Sequence, residues 1–395
     1  MRIESEIVNA IQTRDFEKAK TLLQSGEKIT KNVINQPNFK LPFSEVIRAK
    51  EFDILDLWLA DKTIETDIYE YDAFRDTIFE SIVREFPTDE QSIGWLGGFI
   101  GKLDSLNDEI GDHTLLSYAL DNGADVAILK CLIDAGCDVN YTNNAEQTLL
   151  YEVVNKRMMA PAKALAYMEL LIGEGLDVNK GNVVRETPLM VSVNQNKPEY
   201  IELLLENGAD ANEQDSKGHT AFTRAVVDQS SVVLYDKLAT YSSPDFDQVD
   251  ETGNTLLSSY MSRLNDNYNI GILPKLLEAG GDLTQKAPYY DKQKSGLDWL
   301  AEKSFETFEI ALGTGTVNIN EQDDQGETLL HKVCAYNVVL DERIAKEIYK
   351  KVKLLIEMGA DVNLINSSEQ TPLSLASNNN LKIKTVQLLM SNSAK

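Results

Sequence analysis

Two phrases, Thr187-Pro188-Leu189 and Gly208-Ala209-Asp210-Ala211-Asn212, decide how this chain folds, because both recur along it in a fixed order. Copies of the first phrase begin at Thr114, Thr148, Thr220, Thr255, Thr328 and Thr371. Copies of the second begin at Gly136, Gly175, Gly280 and Gly359, with a degraded copy at Val317-Asn318-Ile319-Asn320. The period is roughly 33 to 43 residues. Such a period is typical of a solenoid, in which each repeat contacts only its neighbours.

Each phrase has a physical reason. The threonine is expected to open a helix by accepting a hydrogen bond from a free N–H group of the first turn. A proline next to it is tolerated because its missing N–H would be unpaired there. The glycine is expected to end a second helix with a positive φ, and the Asp and Asn after it suit turns. Leucine pairs such as Leu203-Leu204 and Leu276-Leu277 are expected to face the neighbouring repeat.

These phrases resemble the ankyrin repeat, whose signature is T-P-L-H-x-A in a unit of about 33 residues. The resemblance implies an all-α ankyrin-repeat solenoid of helix-turn-helix pairs with short β-hairpin or loop connections. It covers residues 108–395 well, ending in a capping repeat. Weaker helix-pair patterns at Ile7 to Gly26, Leu41 to Asp61 and Ala73 to Gly111 assign residues 1–107 to degenerate repeats. About eleven repeats are expected, three of them degenerate.

Several segments depart from the pattern. Extra residues around Lys156 to Pro161 and around Val338 to Glu347 predict longer helices or loops in two repeats. The segment Gln285 to Ser295 lacks the usual turn and threonine. The glycine-rich region Pro87 to Gly111 predicts an irregular or closely packed element. A lysine cluster at 346, 350, 351 and 353 is interpreted as a solvated helix face.

Composition narrows the class of protein. The 395 residues carry a net charge of -25, and 43% are apolar, as in folded chains. No apolar run approaches the roughly 18–20 residues of a membrane helix. The start, Met1 to Glu6, is acidic and does not look like a secretory signal, so a cytoplasmic location is the default expectation. The three cysteines, Cys131, Cys137 and Cys334, are interpreted as reduced and apolar rather than as a disulfide or metal site.

No motif predicts catalysis, a cofactor or a metal site. The glycine cluster from Gly94 to Lys102 lacks the hydroxyl residue of a phosphate loop, which favours close helix packing. His331 holds the histidine position of the repeat signature and is expected to steady turns by hydrogen bonds. Cys334 lies three residues later, but the repeat explains both residues, so a thiol–base pair is not favoured. The sequence therefore predicts that the protein is not an enzyme.

Partner-binding residues follow from the resemblance, because ankyrin repeats bind through a concave surface of hairpin tips and first helices. The expected hairpin positions are Glu146, Val184, Glu186, Ser216, Lys217, His219, Glu251, Asn254, Asp324, Gln325 and Glu327. The expected first-helix positions are Asn155, Lys156, Asn194, Gln195, Asp228, Arg263 and Tyr336. For any single residue the alternative is an ordinary solvated surface position.

Charge suggests the kind of partner. Residues 108–252 carry 25 acidic and 10 basic residues, so the middle repeats are the acidic ones. Such a field attracts a basic protein and repels nucleic acid and anionic membranes, although it also confers solubility. We therefore expect a protein partner, no nucleic acid and no membrane, and a monomer when free. An inhibitor such as a bacterial immunity protein that neutralises a toxin is the first hypothesis. An adaptor or host-targeted effector is the second, and an enzyme with a site in the N-terminal third is the third.

Overall fold

The computed structural model describes residues 5–29, 41–265, 269–338 and 341–393. The first four residues of the predicted non-secretory start, and Val339 and Leu340 of the predicted insertion, lie outside these ranges. Over the described ranges, every helix is too short or too polar to cross a membrane.

Within the described residues, 22 α-helices follow one another as eleven helix pairs, here called repeats 1–11, so that repeat 1 holds α1 and α2, and so on. Repeats 1–4 contain α1 Glu6–Gln12, α2 Phe16–Gln24, α3 Phe43–Arg48, α4 Phe52–Ala60, α5 Ile78–Glu85, α6 Glu90–Ile100, α7 Leu115–Asp121 and α8 Val126–Asp134. Repeats 5–8 contain α9 Leu149–Asn155, α10 Pro161–Gly173, α11 Pro188–Asn194, α12 Pro198–Glu206, α13 Ala221–Thr223, α14 Val232–Ala239, α15 Leu256–Arg263 and α16 Ile272–Glu278. Repeats 9–11 contain α17 Gly296–Glu302, α18 Phe305–Gly313, α19 Leu329–Ala335, α20 Glu342–Glu357, α21 Pro372–Ser377 and α22 Ile383–Ser393. The all-α solenoid and the eleven repeats are confirmed.

Three helical turns and two strands complete the secondary structure of the described residues. A π-helical turn, Arg224–Asp228, continues α13, and 3₁₀ turns occur at Ile68–Glu70 and Asn380–Lys382. The strands β1 Lys286–Tyr289 and β2 Lys292–Ser295 pair antiparallel, with Lys286 opposite Ser295 and Tyr289 opposite Lys292. This hairpin replaces the turn that the sequence lacks between Gln285 and Ser295.

The chain forms two compact units. Unit 1 is Met1–Val191 with Glu206–Gly208, and unit 2 is Ser192–Leu205 with Ala209–Lys395. Inside each unit first helices pack on first helices and second helices on second helices, as α3 on α5 and α6 on α8 in unit 1, and α17 on α19 and α18 on α20 in unit 2. The layers enclose fully buried side chains such as Tyr167 in unit 1 and Phe308 in unit 2. The predicted division of the chain at residue 107 is a separate matter and stays a prediction.

The threonines cap the first helices as predicted. Thr148 Oγ1 accepts from Tyr151 N at 3.1 Å, and Thr371 Oγ1 accepts from Ser374 N at 3.2 Å. The same bond occurs at Thr114, Thr187, Thr220, Thr255 and Thr328. Each bond satisfies an N–H group that the first turn would otherwise leave free.

The glycine phrase also behaves as predicted. Gly136 follows the end of α8 with φ of 106°, a conformation that costs glycine little. The aspartate two residues later accepts from the backbone N–H two residues further on, as in Asp138 to Asn140 at 2.8 Å. Of the predicted leucine pairs, Leu276 and Leu277 are buried.

The asparagine of the phrase has a role that its turn propensity did not predict. Asn107 Nδ2 donates to the carbonyl of Gly136, while Asp138 N donates to Asn107 Oδ1, at 3.1 and 2.8 Å. Asn320 makes the same two bonds to Gly359 and Asp361, at 3.0 and 2.8 Å. One carboxamide thus bridges the loops of two successive repeats.

The departures from the repeat fall mainly on second helices. α10 has 13 residues and α20 has 16, so the two insertions lengthen helices. The glycine-rich region is a regular helix, α6, up to Ile100, and a Cβ on Gly97 would lie 3.7 Å from Cys131 Sγ. This contact is of ordinary length, and a Cβ on Gly94 or Gly98 would meet nothing within 4 Å, so packing does not explain the glycines of this regular helix.

The predicted exposure of the lysine cluster was wrong for one residue, Lys351. Lys351 is 3% exposed and donates to the carbonyls of Ala301 and Lys303. Burial lowers its pKa to about 8. Lys346, Lys350 and Lys353 are exposed, as predicted.

Candidate partner-binding surface

Within each unit the candidate surface consists of the loops that precede the first helices and the outer side of those helices. Ten of the predicted residues are exposed: Glu146, Asn155, Val184, Ser216, Lys217, Asp228, Glu251, Arg263, Asp324 and Gln325. Eight are half-buried: Lys156, Glu186, Asn194, Gln195, His219, Asn254, Glu327 and Tyr336. All eighteen therefore retain some surface, and their role in binding stays a prediction.

An Asn or Asp side chain holds six of the hairpin loops. Asn182 Oδ1 accepts from the N–H groups of Val184 and Glu186, both at 3.0 Å. The same pair of bonds, to the second and fourth residue onward, is made by Asn143, Asp215, Asp250, Asp323 and Asn366. A local side-chain acceptor thus holds the tip that displays the predicted residues.

Neighbouring hairpins are joined through their backbones. In unit 1, Val183 N donates to the carbonyl of Ala145 at 2.9 Å. In unit 2, Glu251 N donates to Lys217 and Ser367 N donates to Gln325, both at 2.8 Å. These bonds fix adjacent tips in register, which lowers the entropy lost when a partner binds them.

The carboxylates of this surface in unit 1 are held by neutral donors. Tyr141 Oη donates to Glu109 Oε1 at 2.8 Å, and Tyr151 Oη donates to Glu186 Oε2 at 2.7 Å. Asn143 Nδ2 donates to Glu152 Oε1 at 2.7 Å, and burial raises the pKa of Glu152. These three glutamates, and the exposed Glu146, have no cationic group within 4.0 Å among the described residues. Their charge is positioned without being neutralised.

In unit 2 the carboxylates next to two first helices are paired, whereas Glu251 and Glu369 have no cationic group within 4.0 Å among the described residues. Lys332, only 6% exposed at its side chain, contacts Asp298 at 2.6 Å, Asp323 at 2.7 Å and Glu327 at 3.5 Å. Burial lowers the pKa of Lys332, but the hydrogen bonds that it donates to Asp298 and Asp323 outweigh this effect and raise it. A cavity of about 210 Å³ lies beside this cluster and is lined in part by Tyr336.

Arg224 has the equivalent role in repeat 7. Its guanidinium donates to Asp215 at 2.8 Å and to Asp228 at 3.2 Å. Arg263 also contacts Asp228, at 3.4 Å. The predicted residue His219 places Nδ1 3.8 Å from the same Asp215. Much of the charge on this part of unit 2 is therefore balanced internally.

Two of the predicted first-helix residues bind backbone carbonyls of the preceding repeat. Lys156 Nζ donates to the carbonyl of Asp121, the last residue of α7, and to its carboxylate. Arg263 donates to the carbonyl of Val227, in the repeat before it, at 3.4 Å. A cation suits these positions because free carbonyls and the negative end of the dipole lie at a helix C-terminus.

Sequence reasoning missed several residues of this surface. Glu152, Arg224 and Lys332 each lie four residues after the capping threonine and bind the Asn or Asp of their own hairpin. Their common position, four residues after the capping threonine, was the sequence signal that could have identified them. Tyr141 and Tyr151 were missed because they act on glutamates more than 30 residues away.

His331 has the structural role that was predicted. Its Nδ1 lies 2.8 Å from Thr328 Oγ1 and accepts from Thr328 N, and its Nε2 lies 3.2 Å from the carbonyl of Gln370. Cys334 is fully buried, and burial raises the pKa of its thiol to about 12. A thiol so protected is a poor nucleophile near neutral pH. Cys131 and Cys137 are also free and buried.

The repeat assignment is tested by comparison with known proteins. A family model for ankyrin repeats, in three copies, matches residues 157–250 and 297–395. The chain contains ankyrin repeats. Ankyrin repeats form protein–protein interaction modules, and the fold is typically a scaffold without catalysis.

Individual similarities are more limited. A poly [ADP-ribose] polymerase tankyrase of Caenorhabditis elegans is 39% identical over 67 residues, which are 17% of this chain and 3% of that protein. The ankyrin repeat domain of Bcl-3, a member of the IkappaB family, is 23% identical with a TM-score of 0.47, over 62% of this chain and 98% of that domain. A chain from the complex of a predatory endopeptidase of Bdellovibrio bacteriovorus with an immunity protein is 22% identical with a TM-score of 0.38, over 51% of this chain and 96% of that chain.

Proposed function

We propose that this ankyrin-repeat protein binds a basic protein through the hairpin tips of repeats 4–6 and the first helices of repeats 4 and 5, all within unit 1. The observation that carries the proposal is the set of four glutamates, Glu109, Glu146, Glu152 and Glu186, which face no cation within 4.0 Å among the described residues. Hydrogen bonds from Tyr141, Asn143 and Tyr151 hold three of them in place. Lysine and arginine side chains of a partner supply the missing charge.

Held carboxylates favour specific binding over diffuse attraction. An exposed flexible glutamate loses side-chain entropy on pairing, whereas Glu186 is already fixed by Tyr151. Glu146 has φ of 57° at the turn position that Gly218 and Gly326 occupy in other hairpins. Arg185 and Glu369 have the same φ, 58°, at this position of their own hairpins, so a side chain there is a feature of several repeats.

The function that this surface supports best is inhibition of a basic protein. A toxin that the complex neutralises is the first candidate for that protein. Acidic surfaces speed the association of basic partners and suppress binding of acidic ones. Adaptor function is the second candidate. It is favoured by the different chemistry of unit 2, where Lys332 and Arg224 balance the carboxylates and leave a surface for a less basic partner.

The proposal is tested by capturing partners from the native cell with tagged protein at 100 and 500 mM salt. The Debye length falls from about 10 Å to about 4 Å over that range. A single basic protein held at low salt and released at high salt is the expected result. Several partners, or one that is insensitive to salt, would support the adaptor instead.

A matched pair of variants locates the surface. The triple variant Glu109→Gln, Glu146→Gln, Glu186→Gln keeps the hydrogen-bond acceptors in repeats 4–6 and removes three charges. The control variant Glu213→Gln, Asp324→Asn, Glu369→Gln removes three charges from hairpin regions of unit 2. Capture should fail with the first variant and persist with the second, and the reverse result would reject the assignment to repeats 4–6.

A further inference from the structure

The loops of repeats 8 and 9 lack the asparagine bridge that other repeats of unit 2 have. Asn212 donates to the carbonyl of Ser243 at 2.9 Å and accepts from Asp245 N at 3.0 Å. Asn320 makes the same two bonds to Gly359 and Asp361. Each carboxamide satisfies one backbone acceptor and one backbone donor of the following repeat.

Threonine 284 occupies the asparagine position of repeat 8. Its hydroxyl donates to Asp282 Oδ1 at 2.7 Å, inside its own repeat. The groups of repeat 9 that an asparagine would bridge are the carbonyl of Thr316 and the N–H of Asn318. Among the described residues, neither group has a hydrogen-bond partner. The hydroxyl of Thr284 is shorter than a carboxamide and has no second acceptor–donor pair to offer.

A cavity of about 400 Å³ lies at this junction, a size usual for ligand pockets. Thr284, Thr316 and Asn318 all line it. Its apolar wall is formed by Leu277, Leu283, Leu297 and Val317. The two residues with unbridged backbone groups, both exposed, therefore line a space large enough for a side chain from outside.

The charged groups around the cavity are all acidic. Glu278, Asp282 and Glu321 line it, and no basic side chain belongs to the lining in the part of the chain that the structure describes. A ligand that carries positive charge next to its carboxamide is therefore favoured over a neutral or anionic one.

We infer that this cavity binds the carboxamide side chain of an asparagine in a lysine- or arginine-flanked segment of a protein. The amide nitrogen donates to the carbonyl of Thr316, and the amide oxygen accepts from Asn318 N, as Asn320 does for repeat 10. The adjacent cations face Glu278 and Glu321. The protein source rests on the function proposed above, whereas the carboxamide geometry rests on the repeat comparison alone.

The test is a titration of the full-length protein with the peptide Ac-Lys-Asn-Lys-NHMe, followed by the backbone amide signal of Asn318 in TROSY NMR. The control peptide, Ac-Lys-Leu-Lys-NHMe, has the same charge and nearly the same shape but no carboxamide beyond its backbone. Saturable shifts with the asparagine peptide, at least ten-fold weaker with the leucine peptide, are expected. Equal shifts with both peptides, or no shift with either, would overturn the inference.

The variant Thr284→Asn provides the second measurement. An asparagine there should make the missing bridge, raise the thermal midpoint of unfolding and abolish the peptide-induced shift. A lower midpoint would show that the site does not accept a carboxamide, and an unchanged peptide response would place binding elsewhere. Propionamide tests the source, because saturation equal to that of the peptide would assign the site to free small amides and reject the protein segment.

These measurements do not depend on capture of a partner. If the peptide binds but no basic protein is captured from cells, the proposed function fails and the carboxamide site stands. If a basic protein is captured and the peptide does not bind, the site fails and the proposed function stands.

Discussion

Repeats 5 and 10 make a hydrogen bond between the same two positions of hairpin and first helix, but the donor and the acceptor are exchanged. In repeat 5, Asn143 of the hairpin donates to Glu152 of the first helix at 2.7 Å. In repeat 10, Lys332 of the first helix donates to Asp323 of the hairpin, also at 2.7 Å. Each pair joins the residue four after the capping threonine to the residue five before it. The scaffold therefore fixes where the bond lies, and the side chains decide which partner is charged.

The difference explains the two surfaces. The neutral donor of repeat 5 leaves the charge of Glu152 in place, whereas the cation of repeat 10 balances three carboxylates. Carboxylates can thus stabilise both loops, but only those of repeat 5 keep their attraction for a partner. The threonine caps are common to both repeats, whereas the charge of the hairpin–helix bond differs between them.

The largest effect is expected for Lys332→Met. Removal of the cation leaves Asp298, Asp323 and Glu327 close together and partly buried, and breaking a buried ion pair typically costs 3–5 kcal/mol. The free energy of unfolding, measured with urea, should fall by about 3 kcal/mol. A fall below about 1 kcal/mol would mean that water already screens this cluster.

The next effect is a pH dependence at Lys351, another buried cation of unit 2. Burial lowers its pKa to about 8, so between about pH 8 and 10.5 the unfolded chain holds a proton that the folded chain has released. Stability therefore gains from this group as pH rises through that range. Relative to Lys351→Met, the wild type should gain roughly 2 kcal/mol between pH 7 and 9.5. Parallel curves for the two proteins would contradict the buried, shifted lysine.

The capping threonines test what the two repeats share. Thr148 and Thr328 make the same bond to the first turn of their helices. Thr148→Ala and Thr328→Ala should each lower stability by about 1 kcal/mol. A cost two or three times larger at one site would show that the caps are not equivalent, and the paired valine variants at the same positions control for the loss of volume.

The smallest effect is expected for Glu152→Gln. Burial raises the pKa of Glu152, so the fold stabilises its charge less than water does in the unfolded chain. Glutamine keeps the acceptor for Asn143 Nδ2, and stability should change by less than about 0.5 kcal/mol. A loss comparable to that of Lys332→Met would mean that the charge of Glu152 is structural and not held for a partner.

Local chemistry was the part of the fold that could be predicted. The threonine caps, the positive φ of Gly136 and the turn at Asp138 each depend on residues within one phrase. The helix α6 was harder to predict, since Gly94, Gly97 and Gly98 lower helix propensity and no close approach of a neighbour requires them. The β-hairpin 286–295 was outside the pattern because its segment lacks the repeat phrase.

Contacts between repeats limited the prediction of the surface. Lys156 and Arg263 were expected at the partner surface because of their phase, yet both bind carbonyls of the preceding repeat, about 35 residues away. Tyr151 and Glu186 pair over a similar separation. Sequence phase places a residue on a face, but it does not show which neighbouring group the side chain meets.

The central claim is that the held, unpaired glutamates of repeats 4–6 bind a basic protein. The most direct measurement is the dissociation constant of the captured basic protein at 100 mM salt, for the wild type and for the variant Glu109→Gln, Glu146→Gln, Glu186→Gln, with thermal midpoints as the control for folding. We predict at least a ten-fold weaker complex, a shallower salt dependence and an unchanged midpoint. An unchanged dissociation constant at an unchanged midpoint would contradict the claim.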